Sequence, residues 1–121
     1  MTEIRIPFMA RFKEDMASGK KMATCRTRRY GIIGDTFTSY GMRFHLTHVE
    51  AMPLFEVRDK WWQAEGMSSP QEFEEVWNHI HPGMDFFGSA GRKVWLHLFA
   101  RMDQPAQQFE ITNTLVKETK E

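Results

Sequence analysis

A helix that has to stop at Gly19 and a strand that has to begin by Met22 constrain this chain more than any other feature. Phe8, Met9, Phe12 and Met16 recur at helical spacing among Arg11, Lys13, Glu14 and Asp15, which predicts an amphipathic helix over residues 8–18. Gly19 follows the last periodic residue, the usual place of a left-handed C-terminal cap, and Lys20 and Lys21 suit the negative end of the helix dipole. From Met22 the pattern becomes extended. Alternation in a strand sets Met22, Thr24 and Arg26 on one face and Ala23 and Cys25 on the other. Lys21 can reach Thr24 only from the turn, because their odd spacing would oppose them within one regular strand.

The remaining punctuation divides the chain into short elements. Residues 3–8 are expected to begin as a short strand, Tyr30 to Asp35 as a turn, and Thr36 to Tyr40 as a second strand broken by Gly41. Met42 to Met52 reads as a longer strand ended by Pro53. Leu54, Val57, Trp61 and Ala64 then repeat at helical spacing up to Gly66. Ser69-Pro70-Gln71-Glu72 is a helix start, with a capping serine, a proline in the first turn and a glutamate three residues on. Phe73, Val76, Trp77 and Ile80 form its apolar stripe, and His81-Pro82-Gly83 ends it. Met84 to Gly91 reads as a flexible loop, Val94 to Phe99 as a buried strand, and Gln108 to Val116 as a last strand before a charged tail. This order predicts an α+β domain over residues 1–121 with a partly closed sheet at its core.

A chain of 121 residues with 41% hydrophobic and 13% aromatic side chains is enough for one sizeable core. No apolar run is long enough to span a bilayer and the first residues lack a signal-peptide block, so a soluble, cytoplasmic protein is expected. Net charge is zero, which argues against tight nonspecific binding of long nucleic acid. The charge is nevertheless polarised. Residues 1–30 hold eight basic side chains against three acidic ones, and residues 50–85 hold eight acidic against two basic. That division suits either an anionic or electron-rich ligand on the basic side or two faces that attract each other on folding.

Several residues could carry chemistry. Lys21 and Thr24 could form an amine–hydroxyl pair in which a neutral amine takes the threonine proton. Burial and the neighbouring cations Lys20 and Arg26 would help the lysine lose its charge. The competing reading is a solvated lysine beside a strand threonine. Arg26 could hold a phosphate or an oxyanion, whereas Arg28 and Arg29 read as a basic strand edge. Glu65 is either a proton donor against apolar bulk or an exposed helix-end carboxylate. His45 with His48, and His79 with His81, lack companion ligands at a diagnostic spacing, and alternation puts His45 and His48 on opposite faces, so no metal site is expected. Cys25 reads as a small buried hydrophobe set apart from Thr24. Among the tryptophans, only Trp62 is expected to be free to contact a ligand.

The residues Phe8, Arg11, Phe12 and Asp15, then Gly19-Lys20-Lys21, Thr24 and Arg26, then Gly34-Asp35, Glu65-Gly66-Met67-Ser68, Phe73 and Ile80-His81-Pro82-Gly83 form a pattern across residues 8–99. This pattern resembles the ASCH domain of the PUA-like superfamily, whose common motif is Gly-x-Lys-x-x-Glu-x-Arg. Here Thr24 stands in place of the motif glutamate, which resembles the small bacterial branch that hydrolyses N(4)-acetylcytidine to cytidine and acetate. The resemblance implies a PUA-like, partly closed β-barrel with about three flanking helices. It also implies Lys21, Thr24 and Glu65 as catalytic residues, with Arg26 at the developing oxyanion; Lys20 and Trp62 are further expected substrate contacts. No cofactor or metal is required; the partner is a nucleoside, with RNA as the alternative if the chain is an RNA-binding or RNA-cleaving module.

Overall fold

The computed structural model describes residues 2–102; the strand expected over residues 108–116 lies outside them. Four strands form one antiparallel sheet: β1 (Ala23–Arg26), β2 (Thr36–Ser39), β3 (Met42–Pro53) and β4 (Lys93–Arg101), in the order β1-β4-β3-β2. The sheet curls into a half-barrel flanked by four α-helices, an α+β architecture of the PUA-like kind. The helices are α1 (Lys13–Ser18), α2 (Leu54–Trp61), α3 (Pro70–Ile80) and α4 (Phe86–Ser89).

Aromatic packing fills one face of the sheet. Phe37 stacks on Phe8 and Phe44 with centroids 5.8 and 5.1 Å apart, and Phe99 meets all three edge-on. This cluster also corrects the start of the first helix. Phe8 is drawn toward the sheet and Met9 stays extended, so the helix begins as a 3-10 turn over Ala10–Phe12 before α1. Gly19 closes α1 in the left-handed conformation at φ 84°. The strand expected over residues 3–8 reduces to one parallel bridge between Glu3 and Thr36, and Pro7, lacking an N–H, cannot extend a ladder.

The helices pack in sequence against the sheet and one another. α2 packs on β3 and β4, and α3 packs on α2 and α4. α3 starts as its sequence dictates: Ser69 Oγ accepts the Glu72 N–H at 3.0 Å, while the Glu72 carboxylate reaches back to the Ser68 N–H at 2.6 Å. Its buried stripe is Phe73, Val76 and Trp77. The loop expected over residues 84–91 contains α4, so the described residues hold four α-helices where about three were expected. Asp85 caps it through the Gly88 N–H, and Phe86 is fully buried against Phe73.

A bulge in β3 corrects a second expectation. Leu46 pairs with Phe99 and His48 with Leu98, leaving Thr47 as an extra residue. That insertion resets the alternation, so His45 and His48 share a face. No cluster of three or more metal-ligating side chains occurs among the described residues. Among those residues, no helix is long and apolar enough to cross a membrane.

Candidate functional site

The site is built on the outer edge of β1. The Phe99 N–H donates to the Met22 carbonyl at 2.9 Å, which makes Thr24–His97 and Arg26–Trp95 the hydrogen-bonded pairs of the ladder. The polar backbone groups of Ala23 and Cys25 therefore turn away from β4. In the described residues no strand covers that edge. The turn after α2 covers it instead. Met22 N–H donates to Ala64 O at 2.7 Å, and Gly66, at φ 90°, lets the turn come so close that a Cβ there would lie 3.0 Å from Lys21 Cβ.

Lys21 and Glu65 meet at this junction, both almost fully buried. Lys21 Nζ donates to Ala23 O at 2.9 Å, to Glu65 O at 2.9 Å and to Glu65 Oε1 at 3.2 Å, which uses all three ammonium hydrogens. The Phe12 ring lies under the same nitrogen at 4.4 Å. Burial lowers the Lys21 pKa against the pull of Glu65, and burial raises the Glu65 pKa against the pull of Lys21. Both shifts bring the two groups closer in proton affinity, so burial works against the charged pair. The Cys25 backbone N–H also helps to hold the carboxyl down, yet Glu65 Oε2 makes no hydrogen bond of good geometry.

Thr24 lies next along the strand, 4% exposed, with its hydroxyl oxygen accepting from Arg26 Nε at 3.0 Å. Arg26 is held in turn by the Pro7 carbonyl and by the faces of Phe8 and Tyr30 at 4.9 and 5.5 Å. A guanidinium on this oxygen stabilises the alkoxide form. Lys21 makes no hydrogen bond to Thr24; it is bonded to the carbonyl of the preceding residue.

A cavity of about 410 Å³ opens on these groups. Lys21, Thr24, Arg26 and Glu65 line one side, and Phe73, Val76, Trp77 and His81 of α3 and its exit line another. Cys25 borders it too, although the register, with Thr24 opposite His97 and Cys25 opposite Leu96, keeps its side chain on the other face of the strand. At a sheet edge, side chains of both faces border the same space. Burial, then the Glu65 charge, push the Cys25 thiol well above its ordinary pKa, so it is held as the unreactive thiol.

Two expected substrate contacts lie elsewhere. Lys20 is exposed and Trp62 packs against the core beside α2; neither lines the cavity. Of the residues that local pattern marks as structural, Trp77 lines the cavity and His97 lies behind it. Trp77 belongs to the buried stripe of α3, and its indole N–H donates to Met84 O at 2.8 Å. His97 is fully buried opposite Thr24. Its Nδ1 lies 3.1 Å from the Trp95 carbonyl, and its Nε2 accepts the Tyr30 N–H at 3.0 Å, which anchors Tyr30 at the cavity wall. Burial lowers the His97 pKa, consistent with a neutral ring that serves as acceptor at Nε2.

No family model and no curated protein sequence matches the chain. Solved structures do. An ASCH domain from Lactobacillus crispatus JV V101 superposes with a TM-score of 0.61 at 13% identity, covering 83% of this chain and 78% of that one. Hypothetical protein PH0355 gives 0.61 at 15% identity, with 84% and 96% covered. Protein EF3133 from Enterococcus faecalis V583, assigned to family model DUF984, gives 0.57 at 19% identity, with 88% and 82% covered. The chain has the ASCH fold.

Proposed function

We propose that this chain is an amidohydrolase that removes the acetyl group from N(4)-acetylcytidine or a related acylated cytosine, giving cytidine and acetate. The observation that carries the reading is a buried lysine–glutamate pair, its charges opposed by burial, beside a threonine hydroxyl that a guanidinium already holds. The pattern of Lys21, Thr24 and Glu65 in the sequence supports the same assignment.

In this reading Lys21 passes a proton to Glu65 Oε1 and becomes a free amine. Rotation of Nζ away from the Ala23 carbonyl brings its lone pair to Thr24, whose oxygen gives up its proton and attacks the acetyl carbon. Arg26 stabilises the developing negative charge. The tetrahedral intermediate collapses as Glu65 protonates the leaving exocyclic nitrogen, which releases cytidine and restores the ion pair. A second cycle uses water in place of Thr24 as nucleophile: Lys21 takes its proton, and Glu65 returns one to Thr24 as acetate departs. No metal or cofactor takes part.

Purified protein is expected to release acetate from N(4)-acetylcytidine, and Thr24→Ala to fold normally by circular dichroism with no turnover. Equal rates in the two proteins would refute the nucleophile. A second reading, an RNA-binding module, is supported by a row of exposed cations on aromatic rings. Arg28 lies 4.0 Å from the Tyr30 centroid, and Arg29 and Lys93 lie 5.6 and 5.3 Å from that of Trp95. RNA binding equal in both proteins, with turnover in neither, would favour it.

A further inference from the structure

The cavity has a floor and a rim that differ in chemistry. Lys21, Thr24 and Glu65 are 2%, 4% and 4% exposed, whereas Ile80, at the end of α3, is 43% exposed and His81 beside it is half-buried. The His81 ring is fixed in two ways. It stacks on Trp77 with centroids 3.7 Å apart, and its Nδ1 lies 3.2 Å from the Trp77 carbonyl. A carbonyl only accepts, so Nδ1 carries the proton and Nε2, on the distal edge of the ring, is left with a lone pair. Among the described residues no hydrogen bond to Nε2 occurs. Burial lowers the pKa of this ring, and the charged groups that face it, Arg26 of β1 and Arg92 ahead of β4, lower it further.

The substrate's own shape then orders the ends. In a cytosine the exocyclic nitrogen at C4 and the sugar-bearing N1 lie across the ring from each other. With the acyl group at the buried Thr24, the sugar must face the rim. We propose that His81 selects a nucleoside over the free base, its Nε2 accepting a hydrogen bond from a sugar hydroxyl at the rim. The inference rests on the hydrolase reading for the orientation of the ligand.

The test compares N(4)-acetylcytidine with N(4)-acetylcytosine in the wild-type protein, in His81→Phe, which keeps the stack and loses the acceptor, and in His81→Gln, whose amide oxygen can accept. His81→Phe is expected to raise KM for the nucleoside about tenfold relative to that for the free base, the effect of one well-formed hydrogen bond, and so to erase the preference between them. His81→Gln should recover part of the loss. Equal changes for both substrates, or no change for either, would overturn the proposal. Calorimetric binding of cytidine and cytosine separates it from the hydrolase reading. A cytidine preference that His81→Phe abolishes, in a protein without turnover, would sink the hydrolase and keep His81. Absence of any cytidine preference in the wild-type protein would refute His81 directly.

Discussion

At Glu65, a carboxyl and an ammonium share a space from which water is almost excluded, and the cost of burying charge outweighs their attraction in both pKa shifts. This has a consequence for stability with a definite sign. Because the folded-state pKa of Glu65 is raised above its ordinary 4.5, between pH 4.5 and the raised value the folded protein keeps a proton that the unfolded chain has released. The stabilisation it contributes is complete below pH 4.5 and is lost as pH rises through the raised value. Lys21, lowered from 10.5, behaves in the opposite sense: its contribution is lost as pH falls through the depressed value. The difference in unfolding free energy between wild type and Glu65→Gln, measured by urea titration, is therefore expected to shrink with increasing pH above 4.5. A difference independent of pH would contradict the assignment. Glu65 was legible in the sequence as a carboxylate near apolar bulk, but its ion pair with Lys21 was not, because 44 residues separate the partners.

Among the elements, α3 is the one whose sequence states its own beginning, face and end. Its cap, its first-turn proline and its apolar stripe are all local signals, and the observed helix, Pro70–Ile80, follows them. Replacing Ser69 by Ala removes the acceptor for the Glu72 N–H and should cost about 1 kcal/mol in thermal or urea unfolding. Since α3 brings Val76 and Trp77 to the cavity, the same variant should also weaken ligand binding. β1 was legible only in part. Alternation correctly put Thr24 beside Arg26, which now share a hydrogen bond. The same rule set Cys25 on the other face, as the register has it, but not at the border of a cavity, because a strand's position within its sheet is a tertiary property that its residues do not encode. β3 failed in a related way: nothing around Thr47 marks a bulge, so His45 and His48 were assigned opposite faces. Trp77 was hidden by its own pattern, since a residue on a buried stripe reads as core even when the core borders a cavity.

For the molecule as a whole, the polarised charge of the sequence resolves into contacts between its two parts. Arg11 reaches Glu72 of α3 at 3.3 Å near the surface, and Lys21 reaches Glu65 in the interior. Only the second is shielded enough for large electrostatic effects. Cohesion comes mainly from the aromatic face of the sheet, where Phe37 is fully buried between Phe8 and Phe44. Phe37→Ala is expected to lower the unfolding free energy by about 3–5 kcal/mol, read by denaturant titration, and a loss under 1 kcal/mol would place the centre of stability elsewhere. The margin of β1, bordered by a turn rather than a strand, has a different reach, into how such a protein can be retuned. A binding surface laid over a sheet changes through every second residue, and the intervening positions are left to the far side. Here Thr24, Cys25 and Arg26 all border the cavity, so a mutational library aimed at its lining would vary neighbours in sequence, and a single codon insertion would displace all three at once.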